Sequence, residues 1–477
     1  MFNDWTGVSD PWDGVTVDLV AMQRILCQFF HIATDQCGPA IAIGEREASY
    51  ARVYSFQLPT RSVVARLVAP VRPLFKTENE VAAMDFVRRN TSLPVPIVYV
   101  YCSVASNPVG AEWLIMEHMR GVELAGVWDR LKHSQKRTLA RNLADFYSQL
   151  SRLKADGCGG IYYSVDAVDD SNLTSRTPRW IGAPLPRESL LLLKSHCNHH
   201  VGSTYKLGPI HDLSFLNYGI VMPTPSQTMP VFSSEQYIRL VGYNGNPPTR
   251  NERDSIERQK CVDLFQSIRS LYPDSSLFGP LDTDCFRFSH GDLHESNILV
   301  NPNSGEVTAY IDWETGAFRP SWATVHGVGW FNEDKERHPI DGDDPGNFQN
   351  DIEPGDGLLR AFFRSQLGSK NFTLFSFFHG GVELRAVLRA ASNDPIPSSN
   401  TAPFLVKYFL LGCWNESRRG SFPWDVNAWR HMLIDLDEVS TSNLSSVFSA
   451  DLKVTGARKN REAAHFRLRV LFLLVRI

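Results

Sequence analysis

At 477 residues the chain is long enough to bury a sizeable core in two or three lobes, and its 43% hydrophobic and 21% charged content is that of a folded globular protein. A formal net charge of -4 gives no general attraction to nucleic acid, so any basic surface has to be local. Eight cysteines without a Cys-x-x-Cys pair argue against a disulfide framework and a zinc ribbon, and no run reaches the ~20 apolar residues of a membrane span. The first twenty residues carry Asp4, Asp10, Asp13 and Asp18 and no Lys or Arg, which opposes a secretory signal or mitochondrial leader and makes the cytoplasm the expected location.

Leu19, Met22, Ile25, Leu26 and Phe29 recur at helical spacing and predict a helix within 17–32, part of an extension over 1–37. From 38 to 119 the pattern is strands, one helix, then strands. Tyr50, Arg52, Tyr54, Phe56 and Leu58 alternate with smaller or polar residues, Pro59-Thr60-Arg61 makes a turn, and 62–68 continues as a β-rich run, so this is a hairpin. A helix over 78–89 places Val81, Met84 and Val87 on one face and stops before Pro94-Val95-Pro96, and further strands follow at 97–101 and 111–116. Thr77 and Glu80 have the spacing of a capping box, in which Glu80 would bond back to the helix start.

From 120 to 450 the composition turns helical. Leu139, Leu143, Phe146 and Leu150 share one face, as do Ile256, Leu264, Phe265, Ile268 and Leu271, and helices are expected at 357–367, 374–391 and 403–413. Residues 155–250 are rich in Gly, Pro, Ser and Asn and are expected to form loops and insertions. The histidines at 196, 199 and 200 beside Cys197 lack a second ligand cluster and read as a polar turn. Between 331 and 356 nine acids face only Lys335 and Arg337, a stretch that is either a solvated loop or an attractor for a cationic ligand. The tail, 451–477, is basic and ends in a short apolar run, either packed or lying on an anionic surface.

The densest signal lies in 288–322. Ser289-His290-Gly291-Asp292-Leu293-His294-Glu295-Ser296-Asn297 leads into the apolar Ile298-Leu299-Val300, a turn follows at Asn301-Pro302-Asn303-Ser304-Gly305, and a second apolar run delivers Ile311-Asp312-Trp313-Glu314. A hairpin of this kind brings Asp292, Asn297 and Asp312 toward one point. Two carboxylates and an amide oxygen suit a hard cation, and Mg²⁺ held by one or two carboxylates is usually completed by substrate phosphates. His290 and His294 are four apart, as in a helical zinc pair, but Gly291 and the following strand argue against a helix there.

The order His290-Gly291-Asp292-Leu293-His294, then Asn297, then Ile311-Asp312-Trp313-Glu314 resembles the aminoglycoside phosphotransferase and choline kinase superfamily. The likeness to its fungal members extends through Ala65-Arg66-Leu67, Glu80-Val81-Ala82-Ala83-Met84, Pro94-Val95-Pro96 and Asn107-Pro108-Val109-Gly110-Ala111-Glu112. It implies an α+β, protein-kinase-like fold with a strand-rich small lobe, a hinge at 117–121 and a mainly helical large lobe. It also implies transfer of the ATP γ-phosphoryl group to a hydroxyl of a small, possibly cationic molecule, with Asp292 orienting that hydroxyl and Asn297 and Asp312 on Mg²⁺. His290 would brace the loop, with His294 nearby.

On the nucleotide side the resemblance assigns the phosphate loop to 44–49, including Ser49, the phosphate cation to Arg66, its partner to Glu80, and the adenine edge to the backbone at Glu117 and Met119. The loop has one glycine and no Gly-rich repeat, and Arg66 stands where the general pattern has lysine. Those departures favour a pseudokinase, a nucleotide-binding interaction module, as the alternative; the complete Asp292, Asn297 and Asp312 set favours the enzyme. A protein-serine/threonine kinase fits less well, because Asp-Phe-Gly and Ala-Pro-Glu are missing after the loop.

Overall fold

A computed structural model describes residues 11–44, 50–164, 177–212, 224–234, 236–237, 240, 286–325, 328, 331, 356–380 and 385. Ser49, the acidic stretch 332–355, the expected helices around 256–271 and 403–413 and the tail 451–477 lie outside these residues.

Helix α1 (Leu19–Phe30) starts where Asp18 accepts hydrogen bonds from the Val20 and Ala21 N–H groups, both at 2.9 Å. It ends at His31, whose left-handed φ of 53° closes the last turn. Its apolar face, Met22, Ile25 and Leu26, packs on the small-lobe sheet with Tyr54, Phe56 and Trp113.

That sheet has five antiparallel strands in the order β1-β2-β3-β5-β4: β1 (Ile41–Ile43), β2 (Ala51–Gln57), β3 (Ser62–Val68), β4 (Val98–Cys102) and β5 (Glu112–Glu117). β2 and β3 form the expected hairpin, in register from Ala51 against Val68 to Gln57 against Ser62. Helix α2 (Phe75–Asn90) crosses its inner face.

The start of α2 differs from the capping-box expectation. The helix begins three residues earlier, and its first turn is capped by a strand: Glu112 accepts from the Leu74 N–H at 2.6 Å and from the Thr77 hydroxyl at 2.5 Å. Burial pushes the Glu112 carboxyl up to about 7, the bonds from Thr77 and Leu74 pulling it back only in part. The folded protein therefore holds a proton that the unfolded chain releases above its ordinary value of 4.5. This contribution is full below that value and is lost as pH rises through about 7. Glu112→Gln keeps an acceptor for Leu74 and removes the titration. Urea unfolding at about pH 5 and pH 8 should show the wild type losing more stability across that interval than the variant; equal losses would contradict the assignment.

The large lobe holds helix α3 (His133–Leu150), helix α4 (Arg187–His196), and helices α5 (Asp356–Lys370) and α6 (Phe372–Gly380). Its described part is richer in sheet than expected. A six-stranded sheet runs β7-β11-β14-β8-β10-β9, from β7 (Lys154–Ala155), β8 (Gly159–Tyr163), β9 (His199–Val201), β10 (Tyr205–Gly208), β11 (Phe286–Ser289) and β14 (Ala317–Arg319). Ile161-Tyr162-Tyr163 is thus a buried strand and not a loop. His199 and His200 pair in β9 with β10, which corrects the polar-turn expectation there.

The remaining sheet, β13-β12-β6, joins the hinge to the motif. β12 (Ile298–Val300) and β13 (Val307–Tyr310) are the expected hairpin, and β6 (Val122–Glu123) adds along its free edge. Helix α3 holds the hairpin from behind: the Val307 N–H donates to Asn142 Oδ1 at 3.0 Å, and Gln135 Nε2 donates to the carbonyls of Pro302 and Asn303. The Phe146 and Tyr310 rings lie tilted with centres 4.3 Å apart, beside a wholly buried Trp313. Gly121 reaches the same hairpin with φ +131°, and a Cβ there would lie 2.2 Å from Thr308 Oγ1, so the chain can leave the small lobe here only as glycine.

Candidate active site

The loop between β11 and β12 is shaped by its backbone. His290 is buried; its Nε2 meets the Ile311 carbonyl at 2.8 Å and its Nδ1 accepts from the Asp292 N–H at 3.4 Å, which sets the tautomer with the proton on Nε2. The Thr315 hydroxyl donates to the His290 carbonyl at 2.9 Å. Gly291 has φ +88°, and a Cβ on it would sit 2.5 Å from the Thr315 carbonyl oxygen. Glycine there lets the motif pack against the chain that carries Asp312.

Asn297 closes the loop by donating from Nδ2 to the Asp292 carbonyl at 2.8 Å, and the Ile311 N–H donates to the Asn297 carbonyl at 3.0 Å. Asp292 and Asn297 are thereby tied through the Asn297 side chain, and the residue before Asp312 is tied to Asn297 through the main chain. Asp312 itself has φ +64°, a left-handed conformation that a non-glycine residue adopts at a local cost and that re-aims its side chain. His294 caps the short turn Glu295–Asn297 by accepting from the Ser296 N–H, and its Nε2 lies 3.8 Å from Asp292 Oδ2.

Opposite this loop, Arg66 projects from β3 into a cluster of acids. Its Nε lies 3.2 Å from Glu80 of α2, and its Nη2 lies 2.8 Å from Asp312 and 2.5 Å from Glu314. Glu80 thus faces Arg66 and does not turn back to cap its own helix. Lys76, one turn before Glu80, lies 2.8 Å from the same Glu314 oxygen. Two buried cations meet three carboxylates here, Asp312, Glu314 and Glu80, and Asp292 feels the charge of Asp312 and Glu314, so the formal excess is negative.

The carboxyls respond unequally. Burial pushes Glu314 up, but Lys76 and Arg66 outweigh it and hold the group at about 2. Burial raises Glu80 to about 7 despite Arg66, with Glu314 and Asp312 adding to the rise. Asp312 is raised by burial more than Arg66 lowers it. Burial also lifts Asp292 to about 6; His294 opposes this, while Asp312, Glu314 and Asp212 reinforce it.

Among the described residues no group of three or more His, Cys, Asp or Glu is placed to hold a metal by itself. The donor set at Asn297 and Asp312 fits a cation that takes its remaining oxygens from phosphate and water, which is the habit of Mg²⁺.

At Glu117 the N–H donates to the Ile97 carbonyl at 2.8 Å, and the carboxylate accepts from the Ile97 N–H at 3.3 Å, so of the backbone groups expected at the adenine edge this N–H is taken up within the sheet. Met119, half-buried beyond the strand end, has no backbone hydrogen bond among the described residues. Sequence reasoning missed Lys76, Arg319 and Asp212. Arg319 donates to Ser289 Oγ at 2.9 Å and to the His211 carbonyl at 3.0 Å and pairs with Asp212, bracing the base of the motif loop.

Residues 46–211 match the model of the phosphotransferase enzyme family. Over this stretch the chain is similar to that family. The phosphotransferase match spans β2 to β5, the hinge and the first part of the large lobe. Fungal relatives accompany it. The chain is similar to a subtelomeric hrmA-associated cluster protein of Aspergillus fumigatus, 22% identical over 432 residues, covering 85% of this chain and 79% of that protein. It is also similar to altered inheritance of mitochondria protein 9, mitochondrial, of Saccharomyces cerevisiae, 26% identical over 274 residues, covering 52% of this chain and 42% of the relative.

That second relative is by name a mitochondrial protein, which overturns the expectation of a cytoplasmic location. Among the described residues no helix is long and apolar enough to cross a membrane. Among solved structures, a thermostable mutant of the aminoglycoside phosphotransferase APH(4)-Ia, in a ternary complex with ADP and hygromycin B, covers 83% of this chain and is itself covered completely, at 11% identity and a TM-score of 0.40.

Proposed function

We propose that the protein is an ATP- and Mg²⁺-dependent phosphotransferase that moves the γ-phosphoryl group to a hydroxyl of a small molecule. The observation that carries this reading is the convergence of Asp292, Asn297 and Asp312 through the bonds from Asn297 Nδ2 to the Asp292 carbonyl and from the Ile311 N–H to the Asn297 carbonyl. Asp292 is the group that orients the acceptor hydroxyl and takes its proton late, and His290 fixes the loop that carries it. Asn297 Oδ1 and Asp312 are the protein ligands for Mg²⁺, which when bound neutralises charge on the phosphate oxygens. The negative excess of the cleft favours a cationic acceptor over an anionic one. Kinship in fold does not carry an antibiotic substrate to this chain.

A pseudokinase is the second reading, and one observation favours it: Arg66 is held by three carboxylates instead of standing free for phosphate. Incubation with γ-labelled ATP and Mg²⁺ against amino alcohols, aminoglycosides, sugars and cell extract separates the two. Label should appear on an acceptor and vanish when EDTA removes the metal. No labelled product from any acceptor, together with an ATP-dependent rise in Tm, would leave the interaction module.

A further inference from the structure

Four of the acids around the cleft have a cation of their own. Glu80, Asp312 and Glu314 are met by Arg66 or Lys76, and Asp212 by Arg319. Asp292 is the exception. Among the described residues its carboxylate has one charged neighbour at ion-pair distance, the His294 ring, with Nε2 3.8 Å from Oδ2, and no hydrogen bond reaches either oxygen. A carboxylate that must present one oxygen to a hydroxyl is best placed by a donor on the other, because positioning supplies most of the rate in phosphoryl transfer.

His294 is built to be that donor. Its extended backbone, with φ −134° and ψ 177°, opens the turn Glu295–Asn297, and its Nδ1 accepts from the Ser296 N–H at 3.3 Å. A main-chain N–H can only donate, so the ring nitrogen facing it is the acceptor and the hydrogen of the neutral ring sits on Nε2. Nε2 therefore bears hydrogen whether the ring is neutral or charged, and the donor offered to Asp292 does not depend on titration. The turn is itself held from the hinge side, where the Ala125 N–H donates to the Glu295 carbonyl at 3.4 Å and the Leu124 N–H to the Ile298 carbonyl at 2.9 Å. The side chains of His294 and Asp292 are 45% and 27% exposed, so an acceptor can reach the pair from solvent.

We propose that His294 is the positioning residue for Asp292, its Nε2–H holding Oδ2 and leaving Oδ1 to the acceptor hydroxyl. At 3.8 Å the two atoms stand just beyond hydrogen-bond distance, and the gap closes when nucleotide and acceptor bind, as catalytic hydrogen bonds commonly do when a site fills. This inference rests on the phosphotransferase reading above.

The capping bond and the contact with Asp292 use different nitrogens, so substitution separates them. His294→Asn keeps an acceptor for the Ser296 N–H, asparagine being among the best N-cap residues, but its amide is too short to reach Asp292. His294→Gln sets an amide donor near the place of Nε2 and gives up the cap. Steady-state kinetics of the full chain with γ-labelled ATP, Mg²⁺ and the best acceptor, with Tm measured alongside, tests the proposal. His294→Asn should keep the wild-type Tm and KM for ATP and lose about ten- to a hundredfold in kcat, the worth of a hydrogen bond to a charged group. His294→Gln should melt lower and yet turn over faster than His294→Asn; a residue that only caps the turn gives the opposite order of rates. Wild-type kcat in His294→Asn, a loss confined to KM for ATP, or a glutamine variant no faster than the asparagine one overturns the role of His294 and leaves the enzyme reading standing. Should His294→Gln fail to fold, kcat and KM of His294→Asn decide alone. A wild type that labels no acceptor overturns the enzyme reading and this inference with it.

Discussion

Replacing Asp292 by alanine is expected to lower turnover by about a hundred- to ten-thousandfold, the usual contribution of a positioned general base, while ATP-Mg²⁺ affinity stays close to that of the wild type. The variant should fold, because the shape of the loop depends on the Asp292 main chain: its N–H donates to His290 Nδ1 and its carbonyl accepts from Asn297 Nδ2. The side chain, moreover, is a carboxyl that burial and the neighbouring Asp312 and Glu314 hold up at about 6, so its charge is not what stabilises the fold. Steady-state rates with the best acceptor and a parallel ATP titration make the comparison. Equal kcat in the two proteins would end the enzymatic reading.

Arg66→Met should be the most damaging single change to stability. It leaves Glu80, Asp312 and Glu314 facing one another with Lys76, among the described residues, as the remaining ion-pair partner, and that lysine pairs with Glu314. Removing one partner from a buried ion cluster costs about 3–5 kcal/mol, a large part of the stability of an ordinary domain. Arg66→Lys should fall between the two, since an ammonium keeps the charge but cannot address Glu80 along one edge and Asp312 with Glu314 along another. Urea unfolding near pH 7 gives the ordering. A methionine variant that unfolds at the same urea concentration as the wild type would contradict the role assigned to this cluster.

Local signals are legible in the sequence, and distant partners are not. The turn at 301–305 between two apolar runs is contained within a dozen residues, and β12 and β13 form there; the same holds for β2, β3 and the α1 face. The start of α2 is not legible locally because the group that caps it, Glu112, arrives from a strand after the helix. Thr77 and Glu80 have the right spacing for a capping box, but each has a better partner from elsewhere, in Glu112 and Arg66. Ile161-Tyr162-Tyr163 shows no alternation because it is buried on both faces, and its neighbour β14 lies more than a hundred residues along the chain. Lys76 was invisible for a similar reason. A lysine opening a helix reads as solvent-facing until Glu314 is folded against it.

Helix α2 is tied down at three consecutive residues by four separate parts of the chain. Glu78 accepts from Arg179 at 2.5 and 3.0 Å, on a strap over 177–180 whose Pro178 carbonyl and Trp180 N–H flank Tyr101 of β4. Asn79 donates to the Glu314 and Gly316 carbonyls and accepts from the Ile161 N–H, and Glu80 holds Arg66. A rod pinned in this way has one seat. In kinase-like molecules whose corresponding helix is free to rock, its docking sets the enzyme on or off. Here the position is built into the chain itself, so the seat of Glu80 against Arg66 is set by the fold of the surrounding elements.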